Sequence, residues 1–149
     1  MARDRKIKSK RVVLASDHAG FILKEEIKKF LIKKKRKVLD LGTKNTSSVD
    51  YPDYAHLLSK KMNKVENEFG ILICGSGTGM SMTANKHKNI RAALCYDTKS
   101  TKLSRLHNNA NVMTLGARLI KRNVALKCVS TFLRTDFDGG RHLRRIKKI

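Results

Sequence analysis

Cys74 stands directly before Gly75-Ser76-Gly77-Thr78-Gly79. Three glycines in five residues let a backbone pass close to a ligand and adopt positive φ. Where such a loop opens a helix, the free amides and the helix dipole make an anion site, so the whole segment is a candidate for holding phosphate or a developing oxyanion. It lacks the Lys-Ser/Thr ending of a P-loop, and its G-x-G-x-G spacing is not the dinucleotide fingerprint. A thiol at the same helix start can be held as thiolate. That thiolate could act as a nucleophile, or as a base toward a carbon acid. Plainer readings stay open at this point: a tight strand-to-helix turn, and a small buried residue ending a strand. Cys95 and Cys128 keep only the packing reading.

Two further pairs could do proton chemistry or bind hydroxyls: Asp17-His18 and His107-Asn108. Arg118, Arg141 and Arg145 are candidates for a phosphate group. Arg141 and Arg145 are four apart, so on a helix they share one face, and paired guanidiniums match phosphate oxygens. In so basic a chain the same arginines also read as surface charge.

The elements that must position these groups alternate. Residues 11–16 (RVVLAS) form a short β-branched run and 69–74 (FGILIC) a continuous apolar one, of the kind buried on both faces of a parallel sheet. Further strands are expected at 38–41, 92–95 and 111–115. Helical spacing is seen over 21–35, with apolar Leu23, Ile27, Phe30 and Leu31. Helices are also expected over 54–65, 80–87, 98–107 and 124–134, with 43–53 as a loop and Gly139-Gly140 breaking the chain before a basic tail. Strand-helix alternation implies an α/β, Rossmann-like three-layer αβα sandwich around a five-stranded parallel sheet. Ligands in such folds bind at the carboxyl ends of the strands, where Asp17, His18, Cys74 and the glycine loop fall.

A length of 149 residues fits one domain over 1–149, with 1–10 as a basic N-terminal extension. No apolar run approaches a membrane span, and the N-terminus does not have signal-peptide form, so a cytoplasmic protein is expected. Three widely spaced cysteines make no disulfide framework, and the five histidines do not fall at zinc spacings. Neither a structural metal nor a cofactor is expected. The 34 Lys and Arg against 12 Asp and Glu leave a formal charge of +22, which attracts anions, whether nucleic acid or a phosphorylated metabolite. The densest run, Lys33-Lys34-Lys35-Arg36-Lys37, reads as a nuclear address or as cations closing a helix. With 5% aromatics, no Trp and no nucleic-acid-binding signature, contact with nucleic acid is expected only nonspecifically, through charge.

Taken in order, several segments together follow one pattern: Ser16-Asp17-His18-Ala19-Gly20-Phe21, Asp50-Tyr51-Pro52, Ile71 to Gly79, Ala84-Asn85-Lys86, Leu103 to Asn111, Gly116-Ala117-Arg118 and Gly139-Gly140-Arg141-His142. The chain resembles type B ribose-5-phosphate isomerase, in the family that also holds the galactose-6-phosphate isomerase subunits, from about Arg11 to Arg145. The resemblance implies a metal-free aldose–ketose isomerisation through an enediol. It makes Cys74 the base. Ser76 and the amides of Gly75, Gly77, Thr78 and Gly79 would hold the enediolate oxygens. His107 would open the sugar ring, with Asp17 and Asn108 on sugar hydroxyls and Tyr51 lining the pocket. His18, Arg118, Arg141 and Arg145 would hold phosphate. One branch of the family uses a glutamate just after the glycine loop; Met80 stands there, which places this chain in the cysteine branch. The family is dimeric or tetrameric with sites drawn from two subunits, so a homo-oligomer is expected. A six-carbon sugar phosphate, galactose 6-phosphate or allose 6-phosphate, is the alternative substrate, and a basic nucleic-acid-binding protein is the rival reading from another class.

Overall fold

A computed structural model describes residues 10–62 and 68–149. Most of the expected basic extension (1–9) and the end of the expected helix over 54–65 (63–65) lie outside the described residues. Five parallel strands, β1 (Val12–Ser16), β2 (Val38–Asp40), β3 (Phe69–Cys74), β4 (Ala92–Leu94) and β5 (Val112–Gly116), form one sheet in the order β2-β1-β3-β5-β4. The three central strands are buried at every residue, whereas β2 and β4 at the edges are half-buried or exposed. This is why the sequences of β1, β3 and β5 are almost wholly apolar instead of alternating.

The helices are α1 (Phe21–Lys33), α2 (Tyr51–Met62), α3 (Thr78–Ala84), α4 (Thr98–Asn108), α5 (Arg122–Arg134) and α6 (Arg141–Ile146). Leu23, Ile27 and Leu31 of α1 pack with Ala125, Cys128, Val129 and Phe132 of α5 on one face of the sheet. Ala55, Leu58 and Met62 of α2 pack with Met80 and Ala84 of α3 on the other. The division follows chain direction. Steps toward the β4 edge run through α2 and α3, and the steps back, from β1 to β2 and from β4 to β5, run through α1 and α4. A single crossover hand puts the two sets on opposite faces. The expected three-layer architecture is the observed one.

Element ends shift by one to three residues from expectation, and two of the shifted helix starts have a plain cause. The segment expected to be loop up to residue 53 already turns helical at Tyr51, because Pro52 sits in the first turn, where its missing N–H costs nothing. Helix α3 opens at Thr78 instead of residue 80, since Gly77, with φ 78°, makes the left-handed turn that starts it. The basic tail forms α6.

Candidate active site

The carboxyl ends of β1, β3 and β5 are adjacent, with Ser16 beside Ile73 and Cys74 beside Gly116. After β1 the chain leaves toward one edge and after β3 toward the other, so a crevice opens between them. Asp17 continues β1: its amide donates to Ile73 O at 3.2 Å, and its Oδ1 accepts from the Gly20 amide at 3.0 Å. The second contact holds the first turn of α1 tight against β3, where a Cβ on Gly20 would collide with the Ile73 carbonyl. His18 Nδ1 lies 3.2 Å from both the amide nitrogen and the carbonyl oxygen of Val49. The segment that delivers Asp50 and Tyr51 is thereby tied to the end of β1.

The glycine loop is shaped by its neighbours. Cys74 is 4% exposed and its Sγ accepts from the Gly77 amide at 3.1 Å, a bond that is stronger to a thiolate than to a thiol. A Cβ on Gly77 would sit 2.8 Å from the Leu115 carbonyl carbon, so residue 77 requires glycine both for its φ and for its closeness to β5. A Cβ on Gly79 would lie 2.5 Å from the Tyr51 ring, which places the phenol directly over the loop. The Arg118 amide donates to Gly75 O at 3.0 Å, and the Arg118 side chain lies along Gly75. Ser76, Thr78, Tyr51 and Arg118 are all exposed. One chain therefore presents a phenol, a guanidinium and two hydroxyls around the glycine loop as an open face able to hold an anion, with the thiol buried beside it.

The other expected residues are elsewhere. Helix α4 runs from the carboxyl end of β4 back to the amino end of β5. His107 and Asn108 end it, and Asn109 (φ 46°) turns the chain. Arg91, just before β4, donates to the carbonyls of Asn108 and Asn109 at 3.1 Å. His107 thus lies at the amino edge of the sheet and Cys74 at the carboxyl edge, separated by the length of β3, roughly 16 Å at 3.3 Å per residue. Arg141 and Arg145 are exposed on α6, which packs against α4 at the same amino edge. Within one chain the structure brings together Asp17, His18, Tyr51, Cys74, the loop 75–79 and Arg118. It does not bring His107, Asn108, Arg141 or Arg145 to them.

His142, which the sequence marks only as part of a motif, stacks its ring on that of His107, with centroids 4.3 Å apart and planes at 14°. Burial and the neighbouring His107, Arg141 and Arg145 push its pKa down, so the ring tends to be neutral. A 35-residue separation concealed the contact. Of the other cysteines, Cys95 is buried and its thiol is pushed up to about 11 by desolvation, consistent with a packing role.

The family model described as Ribose/Galactose Isomerase matches residues 12–149. This chain belongs to that family. Among solved structures of Ribose/Galactose Isomerase members, a ribose 5-phosphate isomerase from Thermotoga maritima superposes with TM-score 0.90 at 51% identity, over 93% of this chain and 95% of that one. Ribose-5-phosphate isomerase B from Mycoplasma genitalium with bound ribulose-5-phosphate superposes with TM-score 0.90 at 43% identity, over 94% and 93%. Ribose-5-phosphate isomerase B of Escherichia coli is 40% identical over 140 residues, 94% of each chain. The matched span of the family model includes both the carboxyl-edge cluster and the amino-edge set.

Proposed function

We propose that this chain interconverts D-ribose 5-phosphate and D-ribulose 5-phosphate as a metal-free aldose–ketose isomerase. The observation that carries the reading is Cys74, a thiol at the end of β3 whose sulfur accepts from a loop amide, with Arg118 along Gly75, Tyr51 over Gly79 and the Asp17 amide bonded to the Ile73 carbonyl. In the open-chain aldose Cys74 takes the proton from C2. The electron pair forms the C1–C2 double bond, and negative charge moves onto O1. Ser76 and the amides of Gly75, Thr78 and Gly79 stabilise that enediolate, while the Gly77 amide stays on the Cys74 sulfur; donors aimed at developing charge lower the barrier. The O2 proton passes to O1, and Cys74 returns its proton to C1, leaving a carbonyl at C2. Asp17 binds a sugar hydroxyl, Tyr51 lines the pocket, and His18 and Arg118 hold phosphate.

His107 opens the ring, Asn108 binds a hydroxyl, and Arg141 and Arg145 complete the phosphate site, all from a second copy. The separation of His107 from Cys74 within one chain supports this, because a two-fold partner can set its amino edge over the open carboxyl-edge face. Exposed Leu94, Tyr96 and Leu119 around the glycine loop supply apolar surface for that contact. The enzyme is then a single-domain homo-oligomer, dimer or tetramer, working in the cytoplasm without a cofactor. No helix among the described residues is long and apolar enough to cross a membrane.

The test is interconversion of the two pentose phosphates by purified protein in EDTA, with Cys74→Ala alongside. Activity in the parent and none in a folded variant is expected. Full activity in Cys74→Ala would remove the thiol from the mechanism. Faster turnover of galactose 6-phosphate or allose 6-phosphate would move the substrate to six carbons.

A further inference from the structure

We propose that His107, Asp138 and His142 form a binding site for a divalent transition metal of the nickel or zinc type, through which the enzyme is inhibited. Among the described residues this is the one place where three side chains able to ligate a metal converge. A ring nitrogen from each histidine and a carboxylate oxygen of Asp138 all lie within 4.8 Å of one another. Donors sharing one such ion stand about 3 to 3.5 Å apart, because each bond is about 2.0–2.2 Å long. The three groups are therefore within a small closing movement of a shared ion.

The backbone around them is held. The Asp138 amide donates to Leu106 O at 3.1 Å, which ties the loop before α6 to the last turn of α4. The His142 amide donates to Gly139 O at 3.0 Å, which sets the first turn of α6 beside it. Three points of the chain thus present their donors from a common framework. The stacked rings do not yet point at one spot, since lone pairs in parallel planes do not converge. One ring must turn about its Cβ–Cγ bond, a broad and soft torsion, and both rings are only half-buried.

The donor set and its surroundings choose the class of ion. Two imidazoles and one carboxylate suit nickel, zinc, copper or cobalt. Magnesium and calcium need more oxygens, and Arg141 and Arg145 beside the site oppose an ion held by charge alone. Those arginines favour an anion in the open coordination positions, and an exposed three-ligand site leaves such positions free. The consequence for catalysis rests on the isomerase reading, in which His107 must be free to move a proton during ring opening; a metal on its nitrogen stops that.

Nickel is the probe, because imidazole and carboxylate bind it well and it competes less than zinc for thiols. The His56–His87 pair, with ring nitrogens 2.7 Å apart, is a second place where nickel could bind, so the experiment uses a His87→Asn background. Binding is read directly by competition with a chromophoric chelator, and isomerisation is measured in EDTA and in added Ni2+. One Ni2+ per chain is expected, weakened at least tenfold by Asp138→Ala and by His142→Ala. Nickel should inhibit the parent. In Asp138→Ala the inhibiting concentration should rise at least tenfold while activity in EDTA stays unchanged. Binding and inhibition that neither variant alters would overturn the proposal. Binding that both variants weaken, in a protein with no isomerase activity in EDTA, would keep the metal site and sink the isomerase reading.

Discussion

Cys74 and the glycines around it do different work, and substitution separates them. Removing a positioned proton-transfer group costs typically 10²–10⁴ in rate. Cys74→Ala is therefore expected to lose at least that in kcat, with the circular dichroism spectrum and melting temperature nearly unchanged, since a small apolar residue still fills the end of β3. Gly77→Ala should fail differently. Its φ of 78° strains any side chain, and the added Cβ presses on the β5 backbone, so the chain must shift. We expect a loss of about 1–3 kcal/mol in stability, read by urea unfolding, together with lost activity. A Gly77→Ala protein as stable as the parent would mean that the loop takes another path. The placement of Cys74 at a strand end before its glycine loop was legible in the sequence because strand, thiol and glycines are contiguous. The Tyr51 ring over Gly79 was not, because it joins residues 28 apart through the fold.

At the scale of elements, the ends of β1 and β2 are clamped by one carboxylate. Asp40 accepts from Lys24 Nζ at 2.8 Å, Lys28 Nζ at 2.9 Å and the Gly42 amide at 2.9 Å. Burial raises its pKa, but these three donors outweigh that and hold it below the usual carboxylate value. Gly42 O in turn accepts from the Ser16 amide, and the Thr43 amide donates to Ser16 O, immediately before Asp17 and His18. Lys24 is 1% exposed and keeps Glu25 as a second partner. Breaking a buried pair costs about 3–5 kcal/mol, and the remaining partner brings Asp40→Asn to the low end of that range or below. Because the clamp ends beside Asp17 and His18, which the isomerase reading sets on substrate, Asp40→Asn should raise KM more than it lowers kcat. Equal KM values would confine Asp40 to stability.

A second elemental contact gives a pH dependence. His87, just after α3, meets His56 of α2, and burial, His56 and Lys60 lower its pKa. A histidine depressed in the folded state binds more protons when unfolded. Its contribution is present above about pH 6.5 and is lost as pH falls toward the folded value. Unfolding free energy should decline over that window in the parent, and His87→Asn should flatten the decline. Identical pH profiles would remove this contact as the cause.

At the scale of the molecule, a site shared between copies makes a prediction that no single-chain site makes. Cys74→Ala and His107→Asn chains are each expected to be inactive. Co-expressed in equal amounts as a C2 dimer, half the dimers are mixed and each has one intact site, so about a quarter of parental activity should return. No recovery in proven mixed dimers would mean that both residues act from one chain. The net charge of +22 should also show itself in rate. Raising salt screens attraction to a dianionic substrate, so kcat/KM should fall with ionic strength while kcat holds.

The sequence by itself determined the layers and set the thiol at a strand end beside its glycine loop. Apolar runs dictate which strands are central, helical spacing dictates which faces cover them, and the thiol with its glycine loop is a local feature that no distant contact is needed to recognise. The tertiary structure alone decided which candidate residues fall together within one chain. Whether His107 lies beside Cys74 or a strand length away depends on α4 running back across the sheet to the amino end of β5, and on β5 inserting between β3 and β4. The stacking of His107 on His142 and the clamp on Asp40 arise in the same way. They join residues far apart in the chain, and such contacts leave no periodicity for a sequence to display.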